Sequence, residues 1–218
     1  YGHIEKASAG TYNYGYIDCL ISGSRTLTYN YGKITDSQNK ITYNYGTIEK
    51  NNASVDTNYS IIENNTGTIN RYSSDATLNE NSGTINTLSK GSVRKNTGKI
   101  NDVNDKNVTI YNYAGGTVGK SNDAWGVRAC TVWNMGGIVQ GYSSYADNVK
   151  VYNFEGGTVS NLRKGSVIYN LGGTVTDSST AQVLKCYKVN INSSFVETWN
   201  DKFIINPDTG EVWLPEGE

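Results

Sequence analysis

Asn65-Thr66-Gly67-Thr68-Ile69, Asn81-Ser82-Gly83-Thr84-Ile85 and Asn96-Thr97-Gly98-Lys99-Ile100 are three copies of one pattern, Asn-x-Gly-x-Ile. The pattern stands earlier at 13–17, 30–34 and 44–48. Later it becomes Asn, one or two residues, then Gly-Gly-x-Val, at 112–118, 134–139, 153–159 and 170–175. Counting Ile4, the closing apolar residue recurs eleven times, always Ile or Val, at gaps of 13 to 21 residues. That period is too short for a helix pair and fits one coil of a β-solenoid. Ile and Val pack well on a pleated strand surface. Gly supplies the backbone freedom of a corner. Asn tolerates left-handed backbone and bonds to its own chain, so it marks corners as well.

Stacked coils predict one column of asparagines: Asn13, Asn30, Asn44, Asn65, Asn81, Asn96, Asn112, Asn134, Asn153 and Asn170. Each side-chain amide would bond the next, as in other cross-β stacks. The eleven Ile/Val residues would form an inward column beside it. A second apolar position precedes the Asn by three residues in Leu27, Ile41, Ile62, Leu78, Val93 and Val167, and by two in Ile110, Val132 and Val151. The expected fold is all-β: a single-stranded parallel β-helix, right-handed, of about eleven coils, with a C-terminal capping hairpin. At ~4.8 Å per coil the rod would be roughly 50 Å long. Pro occurs only at Pro207 and Pro215, as expected if interior strands are bonded on both edges.

Composition bounds the function. The chain has 218 residues, of which 36% are hydrophobic and 18% charged; 24 Gly, 28 Asn and 17 Tyr fill the difference. Nineteen Lys/Arg against twenty Asp/Glu, without basic blocks, argue against nucleic acid. No 18-residue apolar run exists, so membrane insertion is not expected. No leader is legible either, which would place any targeting signal outside this chain. The three cysteines, Cys19, Cys130 and Cys186, show no disulfide or zinc spacing and read as buried structural thiols. His3 is the only histidine, so neither a His-based triad nor a His metal cluster can form. No cofactor is expected. Asp102 with Asp105, or Asp123 with Asp147, could make a weak Ca²⁺ site, although solvated loop carboxylates are the plainer reading.

The pattern divides the chain into a solenoid, 1–184, and a cap or docking element, 185–218, with a hairpin at Phe203–Trp213 around Asn206-Pro207-Asp208-Thr209-Gly210. Phe195, Trp199 and Trp213 are candidates to cover the open end, which is otherwise an aggregation-prone edge. The chain opens inside a motif at Tyr1-Gly2-His3-Ile4, which suggests a fragment or a docked first coil. Long corners are expected at about 49–61, 119–131 and 140–149. The last two should project side by side and carry the candidate ligand-binding residues Trp125, Arg128, Tyr142 and Tyr145. Aromatic residues flank the Asn column at 12, 29 and 43, again at 111, 133, 152 and 169, with polar coils between. Stacking along the rod explains them without a ligand, at about 0.5–1.5 kcal/mol per pair. A glycan platform or a subunit contact is the functional alternative.

The Asn-x-Gly-x-Ile and Asn-x-Gly-Gly-Thr-Val ladders resemble those of parallel β-helix repeat proteins, including phage tail spikes and fibres and bacterial surface adhesins. The resemblance covers about residues 1–184 and is architectural. It implies a rigid extracellular, cell-surface or virion rod that displays surfaces, often as an oligomer; fold alone does not fix function. The leading expectation is a non-enzymatic structural and binding solenoid that self-associates and contacts glycans or another protein. One alternative is a polysaccharide-active enzyme, although no stacked acid pair is legible. Another is a mobile-element inhibitor that binds a host protein through its rod face; its free thiols would suit the cytoplasm.

Overall fold

The computed structural model describes residues 2–23, 26–119, 126–141, 147–190 and 202–217. Among them every regular element is a strand. The chain winds as a parallel β-solenoid of about eleven coils. Each coil contributes one strand to a 15-stranded sheet and one to a 12-stranded sheet, called here the first and second sheets. Strand i pairs with the strand one coil on, always in parallel, until the last coil.

The interior holds two apolar columns, one per sheet. In the second sheet Leu27, Ile41, Val55, Ile69, Ile85, Ile100, Val118, Val139 and Val159 follow one another without a break. In the first sheet the series is Ile17, Ile34, Ile48 and Ile62, then Leu78, Val93, Ile110, Val132, Val151 and Ile168. All are 3% exposed or less. Complete burial of one such side chain contributes roughly 1.5–3 kcal/mol, so these columns are the main cohesive term.

The single column read from the sequence is therefore corrected to two. Ile17, Ile34 and Ile48 lie in the first sheet, whereas Ile69 and its successors lie in the second. The asparagines divide in the same way. Asn13, Asn30, Asn44 and Asn58 end strands of the second sheet. Asn51, Asn65, Asn81 and Asn96 end strands of the first, and Asn112, Asn134, Asn153 and Asn170 stand one residue before the end of theirs, along the opposite edge. Beyond Asn58 the second-sheet edge turns apolar, through Tyr72, Leu88 and Val103. Before Asn51 the first-sheet edge reads Ala7, Leu20 and Ser37.

Within each column the asparagines bond as expected, but the expected step from Asn44 to Asn65 is not made: Asn44 donates to Asn58, and Asn65 accepts from Asn51. In each, the amide Nδ2 of one Asn donates to Oδ1 of the Asn one coil later. Distances run from 2.6 Å at Asn44–Asn58 to 3.4 Å at Asn153–Asn170. Asn51 begins its column above Ser37, whose hydroxyl donates instead to the Asn39 carbonyl. Asn51 Oδ1 is consequently buried with no donor.

The stretch 49–61 is not a long corner. Ser54–Asn58 is a strand of the second sheet, and Asn51 and Asn58 open two further corners. Asn44, Asn51, Asn58 and Asn65 follow at intervals of seven, one strand and one corner each. Ala53 and Ser60 replace the motif glycine there, which hid the pattern.

Strand shape also changes along the rod. In the earlier coils two residues between the inward pair both face out, as in Thr47–Asn51, which carries Ile48 and Asn51 inside. From Thr109–Tyr113 onward strands alternate strictly, with Ile110 and Asn112 inside. The register shifts between these forms at Val93/Asn96. The Gly-Gly corner makes up for the residue lost from the strand, being one or two residues longer. There Gly136 takes φ 95°, which L side chains avoid. Gly137 has no room for a Cβ against the Asn112 amide.

Candidate functional site

The outer surface carries two aromatic ladders, one flanking each asparagine column. The first comprises Tyr12, Tyr29 and Tyr43, before Asn13, Asn30 and Asn44, and Tyr14, Tyr31, Tyr45 and Tyr59, after Asn13, Asn30, Asn44 and Asn58. Parallel pairing repeats every coil, so identical residues fall above one another. Within each column the ring centroids stand 5.1–5.3 Å apart, tilted by only 6–16°. The two columns touch at Tyr12–Tyr14 and Tyr29–Tyr31, at 5.8 and 6.2 Å. Stacking hides the ring faces. The surface shown to solvent is a comb of ring edges and hydroxyls. Tyr12, Tyr14, Tyr31, Tyr45 and Tyr59 are 43–54% exposed. Burial against its neighbours, then the phenols of Tyr14 and Tyr45, push the Tyr31 hydroxyl above the usual phenol range.

The second ladder is Tyr111, Trp133, Tyr152 and Tyr169, with centroid separations of 6.0, 4.2 and 5.1 Å. It lies on the first sheet, so the two aromatic sets do not share the columns expected of them. This ladder is covered. Residues 186–189 pair antiparallel with 212–215, and Ile204–Ile205 pairs with Val212–Trp213, which makes the expected hairpin. Asn206 shapes its turn: Oδ1 accepts from the amides of Asp208 and Thr209. Ile204 and Cys186 pack with Phe154 and Leu171, and Trp213, Trp133, Met135, Tyr152 and Tyr169 surround them. The hairpin thus lies along the side of the rod, where the Tyr113 hydroxyl donates to Asp208 Oδ1 at 3.0 Å. Burial, then that bond, push Tyr113 up to about 12. Burial and Tyr169 also raise Tyr152. Phe195 and Trp199 lie outside the described residues.

Three of the four candidate ligand residues, Trp125, Tyr142 and Tyr145, also lie outside the described residues. Arg128 sits at the root of its loop, in a two-residue strand beside Val103–Asn104. Its Nε is 3.8 Å from Asp147 Oδ1, and Ala129 N donates to the Asp147 carbonyl, which ties the roots of the two long loops together. Asp123 lies outside the described residues. Asp102 accepts from Gly126 N, 24 residues on, and Asp105 from Asn107 N, both bonds to backbone amides. Among the described residues no three His, Cys, Asp or Glu side chains form a metal-holding group.

Several outward acids are matched with bases: Glu49 with Lys33 at 2.5 Å, Asp56 with Lys40 at 2.9 Å and Glu80 with Lys95 at 2.9 Å. The hydrogen bond between Lys33 and Glu49 lowers the carboxyl and raises the ammonium. His3 Nε2 donates to Asp18 Oδ2 at 2.7 Å, and that bond lowers the Asp18 carboxyl. Asn101, Asn86 and Asn70 form an outward amide chain, half-buried at Asn101 and Asn86, ending on Asp56 Oδ1. Burial pushes the Cys130 thiol up to about 12 and Cys186 up to about 11, so neither is a thiolate at neutral pH. Cys19, expected to be buried, is only half-buried, because its position falls between the two inward residues Ile17 and Leu20.

The winding, the two sheets and the internal amide ladders define a parallel β-solenoid, the architecture of β-helix repeat proteins. No protein-family model matches the chain, and comparison with curated proteins and with solved structures finds no match.

Proposed function

We propose that this protein is a structural and binding rod of a surface or virion assembly, which associates with a second copy of itself through the tyrosine comb. The observation that carries this is the contrast between the ladders: one is packed under the C-terminal hairpin and the other is bare. Exposed apolar patches on soluble monomers seldom exceed roughly 300–600 Å². A tyrosine presents about 150–250 Å², so five half-exposed rings with two partly exposed ones offer roughly 500–700 Å². A standard interface takes about 800 Å² from each partner. The comb is also uncharged, and the nearby Lys33 and Lys40 are matched by Glu49 and Asp56, so two copies meet without repulsion. A regular row of identical groups is self-complementary, as a two-fold contact requires. Glycan contact would use the hydroxyl row, since the ring faces are occupied by one another.

Size-exclusion chromatography with light scattering tests this reading. The wild type is expected above the monomer mass, and a Tyr31→Ser/Tyr45→Ser variant at the monomer mass with unchanged circular dichroism. A wild type that stays monomeric at every concentration overturns it.

A further inference from the structure

We propose that the exposed column Tyr14, Tyr31, Tyr45 and Tyr59 is an oxidative cross-linking site, at which a haem-peroxidase-type oxidant with hydrogen peroxide joins tyrosines of successive coils as dityrosine. Three observations combine. The rings are adjacent, at 5.2, 5.1 and 5.1 Å in order along the column. They are 43–53% exposed, so an oxidant can reach them and the rings can turn about terminal torsions with broad wells. Their backbones are fixed to one another: Tyr31 N donates to the Asn13 carbonyl, Tyr45 N to that of Asn30 and Tyr59 N to that of Asn44. Adjacency is therefore a property of the fold, not of chance collision.

The chemistry balances. The oxidant takes one electron and the O–H proton from each of two neighbouring phenols. The two phenoxyl radicals join through the ring carbons next to the C–O carbon. The hydrogen on each joined carbon then moves to its own oxygen as a proton, which restores both phenols. One C–C bond forms and two ring C–H bonds are lost. The two electrons and two protons reduce one hydrogen peroxide to two waters. The product is a covalent rivet between coils 14 to 17 residues apart in the chain. It forms within one molecule, so it stands whether or not copies associate.

The test treats the dilute, folded full-length protein with a haem peroxidase and hydrogen peroxide. Dityrosine fluorescence is expected, with the protein still at the monomer position on a denaturing gel. Peptide mapping should join Tyr31 to Tyr14 or Tyr45, or Tyr45 to Tyr59, and the thermal midpoint should rise. Tyr31→Phe/Tyr45→Phe keeps the ring stack and touches every neighbouring pair of the column, so it should keep the fold and lose most of the fluorescence. No dityrosine, an undiminished yield in the double variant, or a product that only links separate chains each overturns the proposal. The last of these outcomes would still favour association through the comb.

Discussion

The two aromatic ladders are built alike and treated differently. Both flank an asparagine column, and both stack along the rod axis. The tyrosine comb of the early coils faces water on its edges, whereas Trp133, Tyr152 and Tyr169 share an apolar cluster with Phe154, Leu171 and the hairpin. Stacking alone satisfies the ring faces in either place. What the hairpin adds is burial of the edges, at the cost of ordering a terminal segment and leaving Trp213 Nε1 buried without a partner. A row of rings on a solenoid is thus stable bare, and its edges are what remain available for another surface.

The sharpest way to break this comparison is to remove one ring from each ladder's surroundings. Phe154→Ala empties a 4% exposed site beneath the hairpin and should cost about 3–5 kcal/mol, read as a lower urea midpoint with proteolysis at 202–217. Tyr45→Ala removes two stacked contacts and should cost less, about 1–3 kcal/mol. Equal losses would mean that the cover contributes nothing beyond stacking.

Alkali separates the ladders next. The fold holds Tyr31 neutral above the ordinary phenol range, so this contribution is complete below ~10 and disappears as pH climbs through the raised value. Tyr113 keeps its proton up to about 12. Between those limits the early coils should lose amide-exchange protection while the hairpin holds. Phenolate absorbance appearing in both ladders together would count against an electrostatic difference.

At the junction of the two asparagine columns, Ser37→Asn should give Asn51 Oδ1 its missing donor and stabilise by about 1 kcal/mol, a small rise in thermal midpoint. A fall would show that Leu20, one coil below, leaves no room for the longer side chain. The smallest effect belongs to the exposed Lys33–Glu49 pair, whose double-mutant cycle should give no resolvable change in midpoint, since solvent screens such pairs.

The winding was legible because Ile, Val, Asn and Gly each have one reason to recur, and the ten motif asparagines all enter internal ladders. The division into two edges was hidden by two substitutions. With Ala53 and Ser60 in place of glycine, the corners after Asn51 and Asn58 lost their mark, and a strand passed for a loop. The covered ladder was illegible for another reason. Its contacts, such as Tyr113 with Asp208, join residues 95 apart, and no local pattern encodes an antiparallel hairpin laid along a parallel stack. Of the four loop candidates, Arg128 falls within the described residues, where its Nε lies 3.8 Å from Asp147 Oδ1.

The spacing of seven from Asn44 to Asn65 gives the rod a parity. Its smallest unit is half a turn, and three such units separate the last motif of the early set from the first of the later set. An odd count hands everything downstream to the opposite side. Deleting one unit, such as 52–58, would bring comb and hairpin onto the same flank; deleting two would part them again. Which surfaces this molecule shows together is therefore decided by whether a count of heptads is even or odd.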